Sequence, residues 1–177
     1  MIIGTIGDRG SGKTLFMTLE AFNQYKKGKQ IYSNYKLTFP KLPNTKKPKI
    51  IPDDFFTDFE KYNLKDVCMF LDEIYVYIDS RSSGTTRNKL MSYFFNQTRK
   101  TGVDLYYSTQ FFSQVDKRLR FNTERFILPK CFKDKNKDMF IVVEICNRDL
   151  KILGKWIVKA KPIFNLYDTD EIVRFNH

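Results

Sequence analysis

Histidine and cysteine are scarce in this chain of 177 residues. The single histidine is the last residue, His177, so the sequence offers neither histidine-based catalysis nor a histidine metal site. The cysteines, Cys68, Cys131 and Cys146, are far apart within apolar runs, and no pair has metal-ligand spacing. We predict reduced, buried thiols in a reducing compartment.

Long hydrophobic runs are also missing. No segment approaches the roughly 18 apolar residues that a membrane span requires. The N-terminal apolar stretch is too short for a signal peptide and lacks its basic leader. The hydrophobic content of 42% is nevertheless enough for a core, and we expect a soluble intracellular protein.

The charge balance is strongly basic. The net charge is +11, from 31 basic and 20 acidic residues, which favours a polyanionic partner, with nucleic acid first. The alternative is a lysine-rich surface without a partner, because AT-rich coding DNA alone favours Lys, Asn, Ile, Phe and Tyr. The aromatic content of 16% has the same two explanations, and most of these rings are expected in the core.

The strongest motif is residues 7–14, which fit G-x-x-x-x-G-K-[ST] at every fixed position: Gly7-Asp8-Arg9-Gly10-Ser11-Gly12-Lys13-Thr14. An apolar stretch before it predicts a strand, and residues 15–22 after it predict a helix. Such a loop directs backbone N–H groups and a helix N-terminus at phosphates. Lys13 can reach the β- and γ-phosphates, and Thr14 can hold Mg²⁺. The segment therefore predicts binding of a nucleoside triphosphate with Mg²⁺.

Strands and helices alternate through about residue 110. Residues 30–35, 67–71 and 104–110 are predicted strands, and residues 53–62 and 88–101 predicted helices. The second of these strands is a continuous apolar run, as expected for a strand buried on both faces. The pattern predicts an α/β fold, with a mostly parallel central sheet flanked by helices.

The last third has a different pattern. Residues 125–132 and 139–146 predict a hairpin with a charged turn, residues 150–160 a further strand and residues 168–175 a short C-terminal helix. We expect one domain over residues 1–177. It would comprise a nucleotide-binding core (1–125), an antiparallel β extension (125–165) and the short helix.

Residues 38–52 are rich in proline and lysine and predict an irregular surface connection. Its lysines form either a solvated loop or a loop that faces DNA: Lys41, Lys46, Lys47 and Lys49.

Polar side chains follow two of the predicted strands. Asp72 fits the acid that holds the Mg²⁺ sphere together with Thr14, and Glu73 suits a group that activates the attacking water. Gln110 suits a sensor of the γ-phosphate. The alternatives are a pair of acids that merely ends a strand and a glutamine in a turn. Parallel strands would bring all three residues to the edge that carries the loop.

Arginines after the acids are candidates for a finger that stabilises phosphoryl transfer, often in a neighbouring subunit. Arg99 is the first choice for this trans finger and Arg87 the second, and each suits a surface position equally well. The candidates are Arg81, Arg87, Arg99, Arg118, Arg120 and Arg125.

These pieces together resemble the FtsK/HerA superfamily of ring ATPases, and within it the Zot-like proteins and viral genome-packaging ATPases. The matching pieces are residues 7–14, 32–35 and 70–73, and residues 98–104 leading into Ser108-Thr109-Gln110. Zot-like sequences have an arginine, a basic or aromatic residue, a glycine and an aspartate shortly before a strand that ends in Thr-Gln. The resemblance spans about residues 1–125.

The resemblance implies a P-loop NTPase fold of the ASCE type and a ring ATPase, often hexameric, that moves double-stranded DNA or drives virion morphogenesis. Carried over, Lys13 and Thr14 bind phosphate and Mg²⁺, Asp72 supports the metal, and Glu73 activates water. Gln110 senses the γ-phosphate, and Arg99 is the trans finger.

One departure from the family matters. Filamentous-phage Zot proteins carry a membrane-spanning segment after the ATPase domain, and this sequence shows none. The departure favours a soluble packaging ATPase of a bacterial or archaeal virus, in the host-cell cytoplasm or at the virion packaging vertex. Expected partners are double-stranded DNA, further copies of the chain and a capsid or portal-vertex protein. Candidate DNA contacts are Arg81, Arg87, Lys117, Arg118 and Arg120.

Four other functions share parts of this pattern. A small-molecule or nucleotide kinase shares the loop, but adjacent acids and a strand-terminal glutamine favour hydrolysis by water. A GTPase would need the guanine-reading motif N-K-x-D. This sequence lacks it, since Asn136-Lys137-Asp138 has the wrong spacing. A nucleotide-dependent assembly protein, in which ATP only controls oligomerisation, stays open, as does a Zot-like phage assembly ATPase that does not pump DNA.

Overall fold

A single eight-stranded sheet organises the chain. The computed structural model describes residues 1–52, 55, 58–62, 64–77 and 86–168. The strands are β1 (Ile2–Ile6), β2 (Gln30–Ser33), β3 (Lys49–Ile50), β4 (Val67–Leu71), β5 (Asp104–Thr109), β6 (Arg125–Lys133), β7 (Met139–Cys146) and β8 (Ile152–Lys159). The helices are α1 (Lys13–Lys26), α2 (Thr86–Thr101) and α3 (Lys117–Asn122).

The strand order is β3-β2-β4-β5-β1-β6-β7-β8. From β3 to β6 in this sheet order, each strand pairs in parallel with its neighbour. Strands β7 and β8 add an antiparallel extension next to β6. The α/β fold with its mostly parallel sheet and C-terminal antiparallel strands is therefore confirmed. Strand β5 lies between β1 and β4, so the carboxyl ends of these three strands lie side by side.

Two apolar layers cover the faces of the sheet. Along β4, Val67, Met69 and Leu71 pack with α2 and α3, whereas Cys68 and Phe70 pack with α1. This alternation follows from the period of two in a strand. Every residue of β4 is buried, which confirms the strand buried on both faces. The two layers fix the helices that flank the site.

The first helix begins and ends at glycines. Gly12 precedes α1 and Gly28 follows it, and both have positive φ, 95° and 81°. Glycine accepts this left-handed conformation without the clash of a Cβ atom. The two glycines thus set the ends of α1, which is longer at both ends than the predicted residues 15–22.

Several predicted elements differ from the structure or lie outside its described part. Within the predicted helix at 53–62, the structure describes residues 55 and 58–62 and shows 3₁₀ turns at Phe55 and at Phe59–Lys61; the other positions lie outside the described residues. The connection over residues 38–52 contains strand β3, which the prediction missed because a two-residue strand has no periodicity. The predicted helix at 168–175 lies outside the described residues except for Asp168.

Two of the three cysteine thiols are buried, as predicted. Cys68 and Cys146 are buried free thiols and Cys131 is a half-buried one. Burial raises the pKa of the Cys68 thiol to about 12. Within the described ranges, no helix is long and apolar enough to cross a membrane.

Candidate active site

The loop of residues 7–14, called the phosphate loop below, connects β1 to α1. Gly10 and Gly12 have φ of 77° and 95°, where a side chain is strained. A Cβ atom at Gly12 would lie 2.7 Å from Cys131 Sγ on β6. A Cβ atom at Gly7 would lie 2.6 Å from Ser11 Oγ. The positive φ at Gly10 and Gly12 therefore favours glycine, and a Cβ atom at Gly7 or Gly12 would force a neighbouring side chain to move.

Helix α1 begins without a side-chain cap at Gly12. The first N–H groups of a helix have no partner within the helix, and they carry the positive end of its dipole. Lys13 is only 6% exposed, and its Nζ donates to the carbonyl oxygens of Gly7 (3.0 Å) and Asp8 (3.2 Å). The start of α1 thus presents a cluster of positive groups inside the loop, as an anion site requires.

Asp72 connects the phosphate loop to the sheet. Its Oδ2 accepts a hydrogen bond from Thr14 Oγ1 at 2.8 Å, across 58 positions in sequence. Its Oδ1 accepts from Ser108 Oγ on β5. The carboxylate is 7% exposed, and its bonds come from β5 and from the first turn of α1. The predicted pair of Thr14 and Asp72 is therefore in direct contact.

Glu73 has a left-handed backbone conformation, with φ 51° and ψ 60°. Consecutive side chains of an extended strand point to opposite faces, and the turn at Glu73 breaks that alternation. Its Oε1 lies 3.9 Å from Lys13 Nζ and accepts a hydrogen bond from Gln110 Nε2 at 3.2 Å. The backbone N–H of Glu73 donates to Ser108 Oγ at 2.9 Å. Both acids thus reach the phosphate loop, and Gln110 joins them from β5.

The electrostatics of Glu73 differ from those of a surface glutamate. Burial raises its pKa above the ordinary 4.5, against the hydrogen bond from Gln110 and the Lys13 charge, which lower it. The nearby Asp72 carboxylate raises it further. A carboxylate with a raised pKa is a better proton acceptor than a free one, which suits a general base.

Two orphaned atoms test the fit of a bound nucleotide. Ser11 Oγ and Glu73 Oε2 are buried without a hydrogen-bond partner. Buried polar atoms of this kind mark places where a ligand supplies the missing bond. The loop, the uncapped helix and Lys13 fit a polyphosphate. Thr14 and Asp72 fit Mg²⁺, which takes few protein ligands and completes its shell with phosphate and water. The described residues contain no group of three or more His, Cys, Asp or Glu side chains that could hold a metal ion.

The family model for zonular occludens toxin (Zot) matches residues 1–170 of this sequence. This chain belongs to the Zot family. No curated protein sequence matches it.

Solved structures share the Zot family fold seen here. The N-terminal domain of zonular occludens toxin from Neisseria meningitidis has 21% identity and a TM-score of 0.63, over 94% of this chain and 98% of that chain. The genome packaging NTPase B204 from Sulfolobus turreted icosahedral virus 2, in complex with ATP-gammaS, has 14% identity and a TM-score of 0.59, over 89% and 96%. Flagellar accessory protein FlaH from Methanocaldococcus jannaschii has 13% identity and a TM-score of 0.59, over 89% and 84%. At these identities, the likeness shows a P-loop NTPase fold.

The predicted basic residues lie on other elements of this Zot family fold. Arg87 and Arg99 belong to α2, but their side chains lie outside the described part, as does Arg81 altogether. Lys117, Arg118 and Arg120 are on α3, which Asp116 caps through a bond from Arg118 N–H.

The chain connects Gln110 to α3 through a short aromatic segment. Phe112 follows Gln110 by two residues, and the Arg120 guanidinium lies 5.0 Å from the centroid of its ring. The structure brings Lys13, Thr14, Asp72, Glu73 and Gln110 together. It places the α3 cations beside the segment that follows Gln110.

Two residues of the site escaped the prediction. Ser108 is fully buried in β5 and bonds both Asp72 and the backbone of Glu73. Asn34 follows β2, and its side chain makes two bonds of 2.8 Å with the backbone N–H and carbonyl of Asp72. A polar residue in or beside an otherwise apolar strand was the available signal for each.

The chain after β8 also returns to this region. Tyr167 forms an isolated antiparallel bridge with Leu37, and Leu166 accepts a 2.8 Å bond from the N–H of Thr38. Burial raises the pKa of the Tyr167 hydroxyl to about 12, and the Asp72 charge contributes. No sequence signal predicted this contact.

Proposed function

We propose that this Zot family chain hydrolyses ATP and uses the energy to move double-stranded DNA into a viral particle, as a ring of identical subunits. One observation carries the ATPase: Thr14 contacts Asp72 while Glu73 contacts Gln110 beside Lys13. Phosphate-binding, metal-binding and water-activating groups thus meet at one edge of the sheet. Such a site fits phosphoryl transfer to water.

The residues have the following proposed roles. The phosphate loop and Lys13 hold the triphosphate, and Thr14 and Asp72 hold Mg²⁺. When bound, Mg²⁺ neutralises charge on the β- and γ-phosphates. Glu73 accepts the proton of the attacking water, and its raised pKa favours that transfer. Gln110 donates to Glu73 Oε1, the same oxygen that faces Lys13. A change at the γ-phosphate that moves Glu73 would therefore also move Gln110.

A second subunit would complete the site. The positive groups described around the loop come from Lys13 and the start of α1, and phosphoryl transfer gains much from an added arginine. Arg99, near the C-terminal end of α2, is the proposed trans finger, and Arg87 is the second choice. The eight strands form one sheet, which supports a single domain over residues 1–177 as the ring subunit.

The DNA part of the proposal rests on charge and on relatives. The net charge of +11 favours a polyanion, and the α3 cations Lys117, Arg118 and Arg120 follow the Gln110 segment directly. B204, which shares the fold, is a genome packaging NTPase. The proposed setting is the host-cell cytoplasm or the packaging vertex, with a capsid or portal-vertex protein as a further partner.

The ATPase rate with and without duplex DNA tests the proposal. We expect duplex DNA to raise the rate and Glu73→Gln to lower it by about 10²–10⁴-fold. The control is Glu124→Gln, an exposed glutamate outside the site, which should retain the wild-type rate. An ATPase rate that changes neither with duplex DNA nor with Glu73→Gln would overturn both the DNA motor and the role of Glu73 as the base. Phosphate transfer to a non-water acceptor would indicate a kinase.

Mixing inactive subunits tests the trans finger. Arg99→Ala supplies an intact Lys13, and Lys13→Ala supplies an intact Arg99, so mixed rings contain some complete sites. We expect the mixture to regain turnover that neither variant shows alone. The matched control mixes Arg99→Ala with the double variant Lys13→Ala/Arg99→Ala, in which no site has the arginine. Equal rates in both mixtures would exclude Arg99.

A phage assembly ATPase that does not pump DNA is the second candidate. The observation that favours it is β8, an edge strand with four exposed large apolar side chains: Ile152, Leu153, Trp156 and Ile157. Such an edge is typical of a surface that pairs with another protein. DNA-independent ATPase activity that still requires Glu73 would favour this candidate.

A further inference from the structure

A large basic cavity lies beside the candidate site. It measures about 780 Å³ and lies between the end of β2 and the loop that leads to β3. Four lysines line it: Lys36, Lys41, Lys47 and Lys49. Tyr25, Leu37 and Phe39 supply apolar lining, and the described residues around it include no carboxylate. We call this cavity the lysine groove.

The walls of the lysine groove are held in place by hydrogen bonds. Thr45 Oγ1 bonds Tyr25 OH at 2.7 Å, and that hydroxyl donates to the carbonyl of Pro40 at 2.9 Å. Gln30 Nε2 donates to the carbonyl of Lys47 at 3.1 Å. The pairing of β2 with β3 fixes the far end of the loop. The irregular, proline-rich segment is therefore anchored at several points to α1 and β2.

The composition of the lysine groove identifies its ligand class. Lys41, Lys47 and Lys49 line the groove, and none of its described lining residues is a carboxylate, which favours a polyanion over a protein surface of mixed charge. Aromatic and aliphatic lining beside cations is the combination that binds a nucleic-acid strand, since the cations follow phosphates and the apolar parts contact sugars and bases. A duplex is about 20 Å wide and does not enter a cavity of this size as a whole, but one of its strands can lie along it.

Asn34 connects the lysine groove to the metal-binding acid. It lines the cavity, and its side chain makes the two 2.8 Å bonds to the backbone of Asp72. Its own N–H donates to the carbonyl of Phe70 at 3.2 Å. A ligand that moves the end of β2 would therefore move Asp72, and Asp72 contacts Thr14.

We propose that the lysine groove binds a sugar–phosphate strand of DNA and that Asn34 passes its occupancy to Asp72. The proposal rests on the proposed function for its DNA substrate. It adds a contact site at the β2–β3 edge, apart from the α3 cations, and names Asn34 as a positioning residue for the ATPase.

DNA affinity measured as a function of salt tests the binding step. The variant is Lys41→Gln/Lys47→Gln/Lys49→Gln, compared with Lys133→Gln/Lys135→Gln/Lys151→Gln, which removes the same charge from exposed positions on the β extension. In fluorescence anisotropy with labelled oligonucleotides, the groove variant should bind about tenfold more weakly at 0.1 M salt. The slope of log Kd against log salt should fall by about 2–3.

The control variant should bind DNA with a Kd within about twofold of that of the wild type. Salt at this concentration screens the effect of charges that lie away from the binding site. Single-stranded and duplex oligonucleotides are measured separately, and they distinguish a free strand from one strand of a duplex. Equal loss of affinity in the two variants, or no loss in the groove variant, would overturn the groove. Circular dichroism and thermal unfolding serve as the folding check for both variants.

The stimulation ratio tests the role of Asn34. Asn34→Ala removes both bonds to Asp72, so basal kcat should fall while DNA affinity stays within about twofold of the wild type. If Asn34 passes on occupancy, the ratio of DNA-stimulated to basal kcat should also fall towards one. A lower basal kcat with an unchanged ratio would show a merely structural role. The control is Asn136→Ala, an exposed asparagine in the turn between β6 and β7, which should keep the wild-type basal kcat and stimulation ratio.

The outcomes separate the two proposals. Wild-type protein that binds no DNA would overturn the DNA motor and the lysine groove together. Wild-type protein that binds DNA and is stimulated by it, with a groove variant that does the same, would overturn the groove alone.

Discussion

Ser108 provides the most direct perturbation of the candidate site. It is fully buried in β5, between the phosphate-loop strand β1 and the acid-bearing strand β4. Its hydroxyl donates to Asp72 Oδ1 and accepts from the backbone N–H of Glu73 at 2.9 Å. One small side chain thus orients both acids. We predict that Ser108→Ala disturbs the two of them at once.

The magnitude follows from the two bonds that are lost. A hydrogen bond to a charged acceptor contributes about 1.5–3 kcal/mol, and a buried amide left without a partner costs about 1–3 kcal/mol. Because both losses occur at one site and are not additive, we expect Ser108→Ala to lower the free energy of unfolding by about 2–4 kcal/mol. In a chain of this length, that corresponds to a Tm lower by roughly 5–15 °C. Loss of orientation at Asp72 should lower kcat about 10–100-fold.

Thermal unfolding and ATPase rates measure these effects. Ser33→Ala is the matched control, because Ser33 is equally buried in β2 and loses only a neutral bond to the carbonyl of Tyr35. That loss should cost about 0.5–1.5 kcal/mol. A double-mutant cycle with Asp72→Ala separates the bonds: the coupling energy reports the Ser108–Asp72 bond, and the remainder reports the Glu73 N–H.

A Ser108→Ala variant whose stability matches that of Ser33→Ala within about 0.5 kcal/mol would refute this reasoning, since that is the usual error of additivity. Coupling energy near zero in the cycle would mean that the hydroxyl does not support Asp72. Wild-type kcat in a destabilised variant would separate stability from catalysis and remove Ser108 from the site.

Two further predictions concern the phosphate loop and its acids. Gly12→Ala adds a Cβ atom 2.7 Å from Cys131 Sγ at a φ of 95°, so fluorescent ATP-analogue titration should show a large loss of affinity, and adding Cys131→Ala should restore part of it. Wild-type affinity in Gly12→Ala would contradict the observed loop conformation. Burial raises the pKa of the Glu73 carboxyl, so the folded chain binds the carboxyl proton more tightly than the unfolded chain does. This difference stabilises the folded state below about pH 4.5, and the stabilisation is lost as pH rises through the folded pKa. The Tm advantage of Glu73→Gln over the wild type should therefore widen from pH 4 to pH 7; a gap that is constant or narrows would contradict it.

The layered α/β fold could be predicted because its signals are local. Strand β4 reads as a continuous apolar run, and α1 lies between two glycines that need positive φ. Strand β3 could not be predicted, since its two residues are held by pairing with β2 and not by any pattern of their own. The same holds for the Leu37–Tyr167 bridge, which joins segments that are distant in sequence.

The candidate site divides in a similar way. The motif of residues 7–14 predicts Lys13 and Thr14, and charged or amide side chains after apolar strands predict Asp72, Glu73 and Gln110. Ser108 and Asn34 are small neutral residues whose importance lies in what they contact. Sequence shows their polarity but not the partner across the sheet. Only the tertiary structure shows that these two residues hydrogen-bond Asp72 and the backbone of Glu73.

The position of β5 explains why Gln110 and Glu73 meet. In parallel register, Thr109 pairs with Ile6 and Tyr107 with Leu71, so the end of β5 extends past β4 and reaches the start of the phosphate loop. The bond from Gly7 N–H to the carbonyl of Thr109, at 3.4 Å, marks that junction. Gln110 follows at once, and its amide reaches Glu73, whose left-handed turn brings the carboxylate towards Lys13. If β5 were at an edge of the sheet, it would not lie between β1 and β4. The residue after it would then not lie beside both Glu73 and the phosphate loop. The inserted strand therefore joins the two acids and the phosphate loop to the segment beyond Gln110, where Phe112 contacts Arg120 on α3.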